Sequence, residues 1–367
     1  MTRGSHPPDR PRRNARYCRL LAALTITALA VTTASCSSFS SDRRLVVLDE
    51  NHVRNGPHAV ANLVRNNAHQ GVRLHDVARL RLTAKGGAVL VRSVDVPDGW
   101  ELMEPTTFPV TVGPTAAVEL SVRLLDRGLR GLRGGQLKLH TDAPGHETTV
   151  IPLGGFEQID VGGPQEPTLQ DIVTVFGWSI DVAGAAPTLY DRGRRVLRGR
   201  ELNIRTFAPI DPDKPVTVTV LAAFVRVGTG APLAWRPAAA PEHALRPLLT
   251  LAATDTQTLL PSLAAGGPAS ADFSPAGDFA LVIDGQDSDD ARNSTTLDAR
   301  QGCRAQCGHH VRIYPVVAAS GRTVRSDLLV AVDYFPPAPG SGLTSGEKGN
   351  GDFQDAVLLV HNARAAG

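Results

Sequence analysis

Val118, Leu120, Val122 and Leu124 alternate with Glu119, Ser121 and Arg123. A period of two sends one set to each face of an extended chain, so this is the pattern of a half-buried strand. Short apolar or alternating runs of the same kind recur at 45–48, 72–82, 88–94, 108–112, 117–125, 136–140 and 148–153. Turn chemistry stands between them at Pro97-Asp98-Gly99, Gly113-Pro114, Gly134-Gly135 and Ala143-Pro144-Gly145. Short strands separated in this way predict an antiparallel β-sandwich. A second set follows at 216–227, 280–284, 311–317, 327–334 and 356–361. Within it, Leu329 to Val332 is continuously apolar, which suits a central strand buried on both faces. The length of 367 residues fits about two domains of ~150 each. The fold class is therefore mainly β, with an N-terminal sandwich and a C-terminal, jelly-roll-like sandwich. The 35 Gly and 27 Pro follow no three-residue period, which excludes collagen and assigns them to turns. Stretches 228–271 and 336–351 read as loops, the first with a helical piece.

One helix is expected between the two halves. Thr168 is an N-cap with Asp171 three residues on. Leu169, Ile172, Val173 and Phe176 share one face, and Gly177 is a C-terminal stop. Glu166 and Asp171 read as charges favoured at a helix start.

The first 35 residues read as an address. Six Arg and a single Asp precede a short apolar stretch from Leu20 to about Val31. Thr33-Ala34-Ser35-Cys36 follows. A basic start, a short apolar run and small residues before a cut make a secretory signal. The run is shorter than the ~20 residues of a spanning helix. The placing of Cys36 resembles a bacterial lipobox, with Thr33 where Leu is usual. That resemblance implies a lipidated Cys36 at the mature N-terminus and a membrane partner through the lipid. Ordinary secretion and an uncleaved anchor are the alternatives. Without residues 1–35, which carry six Arg and one Asp, the formal charge moves from +2 to −3. No basic stripe remains, which argues against nucleic acid as a partner. Arg127, Arg130 and Arg133 read as a solvated turn. The expected division is 1–35 signal, 36–43 tether, 44–157 first sandwich, 158–200 linker with the helix, and 201–367 second sandwich.

Two further resemblances rest on particular residues. Gly113-Pro114 stands before the alternating strand, His140-Thr141-Asp142-Ala143-Pro144 follows, and Val150-Ile151-Pro152-Leu153-Gly154-Gly155 closes the segment. Residues 45–156 thus resemble the Ig-like sandwich of the abnormal-spindle/hydin superfamily, which implies a scaffold or spacer. Glu166-Pro167-Thr168-Leu169-Gln170-Asp171, Arg312-Ile313-Tyr314-Pro315 and Asp352-Phe353-Gln354-Asp355 with Asn362 are similar to phrases of exported bacterial proteins of uncharacterised function.

The chemistry-bearing groups are few. Cys303 and Cys307 are the pair left in the mature chain, and export favours a disulfide. A metal site with His309 and His310, or free thiols, are the other readings. Asp284, Asp287, Asp289 and Asp290 form an acidic loop that can hold Ca²⁺ or simply be solvated. Asp333, Asp352 and Asp355 form a second candidate of the same kind. No G-x-S-x-G, H-E-x-x-H, phosphate-binding or dinucleotide motif occurs. The expected function is an exported, lipid-anchored envelope protein, a non-catalytic binding or structural module for a glycan or a protein. The alternative is an envelope glycan hydrolase using carboxylates of the C-terminal half.

Overall fold

Strands form where the alternating runs predict them. The computed structural model describes residues 42–49, 59–64, 75–103, 107–160, 162–183, 190–191, 194–225, 230–241, 244–293, 308–333 and 352–366. It is mainly β, with 52% strand, 5% helix and one short α-helix. In the first half the strands are β1 (Arg44–Asp49), β2 (Ala59–Val64), β3 (Val77–Lys85), β4 (Val89–Asp95), β5 (Trp100–Leu102), β6 (Val110–Val112), β7 (Val118–Leu124), β8 (Gly131–Thr141) and β9 (Thr148–Gln158). Helix α1 spans Leu169–Val175. The second half has β10 (Tyr190–Asp191), β11 (Arg194–Arg195), β12 (Phe207–Pro209), β13 (Val216–Ala223), β14 (Pro232–Pro237), β15 (Arg246–Thr250), β16 (Thr258–Leu259) and β17 (Ser270–Phe273). It continues with β18 (Phe279–Ile283), β19 (Gln286–Asp287), β20 (Val311–Val317), β21 (Thr323–Val332), β22 (Ala356–His361) and β23 (Ala363–Ala365).

Sheets β1-β3-β7-β5 and β2-β9-β8-β4-β6 make the first sandwich. Its core holds Leu80, Leu82, Val89, Trp100, Leu120, Val122, Leu137 and Leu153. Within it, β2 runs parallel to β9. Gly134-Gly135, expected as a turn, lies inside β8 instead, opposite Gly154 and Leu153. The reason is space: a Cβ on Gly135 would overlap Pro97 and press on the Trp100 indole. These glycines let a buried Trp lie against the sheet.

Sheets β15-β14-β18-β12-β23 and β16-β13-β22-β21-β20 make the second sandwich. Stretch 228–271, expected as a loop, holds β14 to β17. Leu233 and Trp235 are buried at alternate positions of β14, while Pro232 and Pro237 bound it. The second sheet is buried on both faces. Val218, Val220, Val330, Leu358 and Val360 face the first sheet. Leu221, Leu329, Ala331, Val357 and Leu359 face the other way.

That other face is covered by the segment expected as a linker. Leu169, Ile172, Val173 and Val175 of α1, with Phe176, Trp178, Ile180 and Val182, join Val60 and Phe156 of the first sandwich in one buried cluster. The N-terminus of α1 is a capping box: the Asp171 N–H donates to Thr168 Oγ1 at 3.1 Å, and the Thr168 N–H donates to Asp171 Oδ2 at 3.0 Å. Such a cap is worth about 1 kcal/mol. Gly154 touches the last turn of the helix, where a Cβ would lie closer than 3.0 Å to the Val175 carbonyl oxygen. No described helix is long and apolar enough to cross a membrane. Cys36, Cys303, Cys307 and loop 336–351 lie outside the described residues.

Candidate functional site

Register builds the site. Strands β21 and β22 pair antiparallel with Val332 opposite Ala356. The next residues out, Asp333 and Asp355, therefore emerge side by side at one end of the doubly buried sheet. Asp352 joins them from the turn before β22, where Phe353 takes a positive φ of 55°. One carboxylate oxygen from each of the three lies within 4.8 Å of the others. Asp333 is buried and the other two are half-buried. The backbone is pinned too: the Asp333 N–H donates to the His310 carbonyl at 3.0 Å, and the Phe224 N–H to the Asp355 carbonyl at 2.7 Å.

Beside this cluster lies a network of buried charges. The Arg312 guanidinium rests 4.2 Å from the centroid of the Phe353 ring and gives Nη1 to Glu201 Oε2 at 3.1 Å. Glu201 Oε1 lies 3.0 Å from Arg195 Nη2 and 3.0 Å from His309 Nε2. The Arg198 N–H completes its set at 3.0 Å. Asp290 faces Arg195 at 3.3 Å. Burial alone would raise the Glu201 carboxyl, but the hydrogen bond and charge of His309, with Arg312 and Arg195, outweigh it and hold Glu201 below its usual range. Burial drives the Tyr314 hydroxyl up to about 12.

Glu166 behaves in the opposite way. Expected as a charge at the helix start, it is buried, and Gln354 Nε2 donates to its Oε2 at 2.8 Å. Burial, joined by the charge of Asp352 and partly offset by Gln257 and Gln354, pushes Glu166 up to about 7.

The two acidic stretches separate on inspection. Asp333, Asp352 and Asp355 come together. Asp284, Asp287 and Asp289 do not form such a group among the described residues. Asp287 takes Arg236 Nε at 2.7 Å, and Asp289 caps the turn at 290–292 by accepting the Ala291 N–H while lying 3.6 Å from Arg236 Nη2. Asp284 sits in the tight β18–β19 turn with a φ of 47°. Arg236 is fully buried, and two of the loop's charges, Asp287 and Asp289, face it. His309 is tied to Glu201 and His310 to Gln286.

The basic trio at the β7–β8 connection is also used internally. Arg133 pairs with buried Glu157 at 2.9 Å, Arg130 reaches the carbonyls of Gln165 and Glu166, and Arg127 pairs with Asp98.

Glu201, Arg195 and Gln257 carry no motif and escaped the sequence reading. The available signal was Arg312, a charge two residues from Tyr314 on one face of an apolar strand, which requires a buried partner.

The three clustered carboxylates suit a hard divalent cation. Their spacing matches oxygens that share one ion at 2.3–2.6 Å, and the donors are all oxygen. Main-chain carbonyls or water would complete such a shell.

No family model matches the chain, and no curated protein matches it. Among solved structures, the VesB protease of Vibrio cholerae is similar over 31% of this chain and 31% of its own, at 13% identity and a TM-score of 0.22. The secreted serine protease VesC of the same organism is matched over 84% of this chain and 49% of its own, at 6% identity and a TM-score of 0.21. A protein of unknown function from Porphyromonas gingivalis W83 is matched over 66% and 93%, at 10% identity and a TM-score of 0.23. The chain thus spans about a third of VesB and about half of VesC. At these scores none of the likenesses bears on activity.

Proposed function

We propose that the chain is an exported, lipid-anchored envelope protein that binds a glycan or protein without transforming it. Cys36 carries the lipid, and the first, Ig-like sandwich presents the second. The observation that carries this reading is the engagement of the buried carboxylates. Glu157, Glu201, Asp287 and Asp290 each face an arginine, and Asp255 and Asp327 each face a histidine. Acids so held are fixed charges of the scaffold, unlike a general acid and base with divergent proton affinities. The ligand-facing region is the loop end that bears Asp333, Asp352 and Asp355, where a bound Ca²⁺ would offer open coordination positions to hydroxyl or carboxylate oxygens.

One observation favours a second reading as a glycan hydrolase. Glu166 holds its proton to about pH 7 beside the charge of Asp352, as an acid–base pair requires. Purified residues 37–367 are incubated with envelope glycans, and binding and turnover are read in parallel. Binding without turnover is expected. Turnover that Glu166→Gln abolishes would establish the hydrolase instead. Inhibiting lipoprotein processing in the expressing cell is expected to leave a heavier exported product, and an unchanged mass would refute lipidation.

A further inference from the structure

The joint between the sandwiches contains an amide that meets no hydrogen-bonding group among the described residues. Gln158, the last residue of β9, is 0% exposed, and among the described residues neither its Oε1 nor its Nε2 meets a hydrogen-bonding group. Asn62 of β2, also 0% exposed, donates Nδ2 to Thr258 Oγ1 at 3.2 Å, while its Oδ1 meets none. The parallel register sets Asn62 opposite Phe156 and Val64 opposite Gln158. Asn62 and Gln158 are therefore diagonal neighbours on one face. It is the face of Val60 and Phe156, turned toward α1 and the second sandwich.

The second sandwich meets it with the buried segment Asp255-Thr256-Gln257-Thr258. Asp255 pairs with His75 at 3.2 Å, and Gln257 Oε1 accepts the Gly162 N–H at 3.1 Å while its Nε2 donates to the Val225 carbonyl at 3.1 Å. The segment's own polar groups are thus engaged, which leaves Gln158 and the Asn62 carbonyl without a partner among the described residues.

A buried amide in this state is rare, since each unmet group keeps its full desolvation penalty. The missing partner must donate to two carbonyl oxygens and accept from one NH₂. A cation would serve the oxygens and repel the NH₂; an anion would do the reverse. A water, or two neighbouring hydroxyls of a polyol or sugar, supplies two O–H donors and a free lone pair and so serves all three.

We propose that this joint is a binding site for a buried hydroxyl guest, held by the Gln158 amide and Asn62 Oδ1. The hydroxyl belongs either to an ordered water or to a small polyol or sugar.

Gln158→Met, which keeps the length and removes the polar groups, separates the cases. Wild type and variant are compared by water relaxation dispersion, which counts long-lived internal waters, and by urea unfolding with and without glycerol and glucose. A guest predicts that the variant's folding equilibrium constant falls roughly tenfold, the equivalent of losing one net hydrogen bond. With water as guest, the variant also loses at least one long-lived water, and the sugars raise both proteins equally. With a sugar hydroxyl as guest, glycerol or glucose raises only the wild type. A variant more stable than wild type, with the same water count, would overturn the proposal. Should the variant not fold, a diffraction map of the wild type decides: an ordered oxygen about 2.6–3.2 Å from the Gln158 amide supports the site, and a map without one refutes it.

Discussion

Glu166→Gln isolates the energetic consequence of a carboxyl buried between Gln257, Gln354 and Asp352. The carboxyl rises from 4.5 to about 7 on folding. Below pH 4.5 the group is protonated in both folded and unfolded chains and adds no penalty. Between pH 4.5 and about 7 the unfolded chain ionises while the folded one keeps its proton, so stability falls as pH rises. Above about 7 both are ionised and the loss is complete. At ~1.4 kcal/mol per pH unit, that loss is about 3 kcal/mol. Glutamine preserves an oxygen for Gln354 and carries no proton to lose. The assay is urea unfolding of both proteins at pH 4, 5.5, 7 and 8, in chelator so that no cation on Asp352 draws the Glu166 proton off. The variant-minus-wild-type stability should rise by about 3 kcal/mol from pH 4 to pH 8. Taking that difference cancels every other titrating group common to the two proteins. A difference flat across the range would refute the reasoning, because it would mean Glu166 ionises alike in both states.

Four further outcomes follow from named contacts. Gly154→Ala drives a methyl into the Val175 carbonyl, so it should cost about 1–3 kcal/mol in urea unfolding and shift the fluorescence of Trp178, which stacks on Phe176. Glu201→Gln leaves Arg312 buried without its counter-charge and Arg195 with Asp290 alone, and should cost about 3–5 kcal/mol, far more than Asp171→Ala at the α1 cap, at about 1 kcal/mol. Asn362→Gly keeps the positive φ of 60° but removes the donor to the Asp211, Lys214 and Pro215 carbonyls, so thermal unfolding should show a loss of about 1–2 kcal/mol. Millimolar Ca²⁺ should raise the melting midpoint above that in chelator, and Asp352→Asn should remove the rise; an unresponsive wild type ends the cation reading.

Much of the sheet structure was legible because it depends on local alternation. The alternating Val118–Leu124 run is β7, and the apolar Leu329–Val332 run is the doubly buried part of β21. The helix was legible from its cap and its apolar spacing. Glycine misled in one direction: Gly134-Gly135 has the composition of a turn, but its role is set by Pro97 and Trp100, some 35 residues earlier in the chain. Proline misled in another, because Pro232 and Pro237 bound a strand whose pairing with β15 and β18 is long-range. At the site, three sequence phrases far apart in the chain converge. Glu166 of the first meets Gln354 of the third, and Arg312 of the second stacks on Phe353 of the third. The residues were visible in sequence, but their meeting was not, since it depends on β20, β21 and β22 ending together. The acidic loop shows the converse. Its oxygen-rich composition suited an ion or a solvated loop alike, and nothing local to it revealed that Arg236, on a different strand, would take Asp287.

The joint alters what a spacer can mean in this chain. Two sandwiches joined by a free linker would move independently, and relative motion is the default for small polar interfaces. Here the segment after β9 is instead a layer of the structure. Its apolar residues fill the space between β2 and β9 on one side and the second face of the β13-β22-β21-β20 sheet on the other. A sheet apolar on both faces cannot expose one of them to water without losing much of its burial, so the layer is required by the second sandwich's own composition. The polar clamp adds direction to that demand: Asp255 to His75, Thr258 to Asn62 and Gln257 to Gly162 fix one register of the two halves. Apolar burial gives the joint its strength and the buried polar pairs give it a single geometry, because any sliding would strand those groups without partners. The two sandwiches are therefore held in one orientation, and the position of the Asp333 end relative to the first is set by contacts at Gly154, Asn62 and His75.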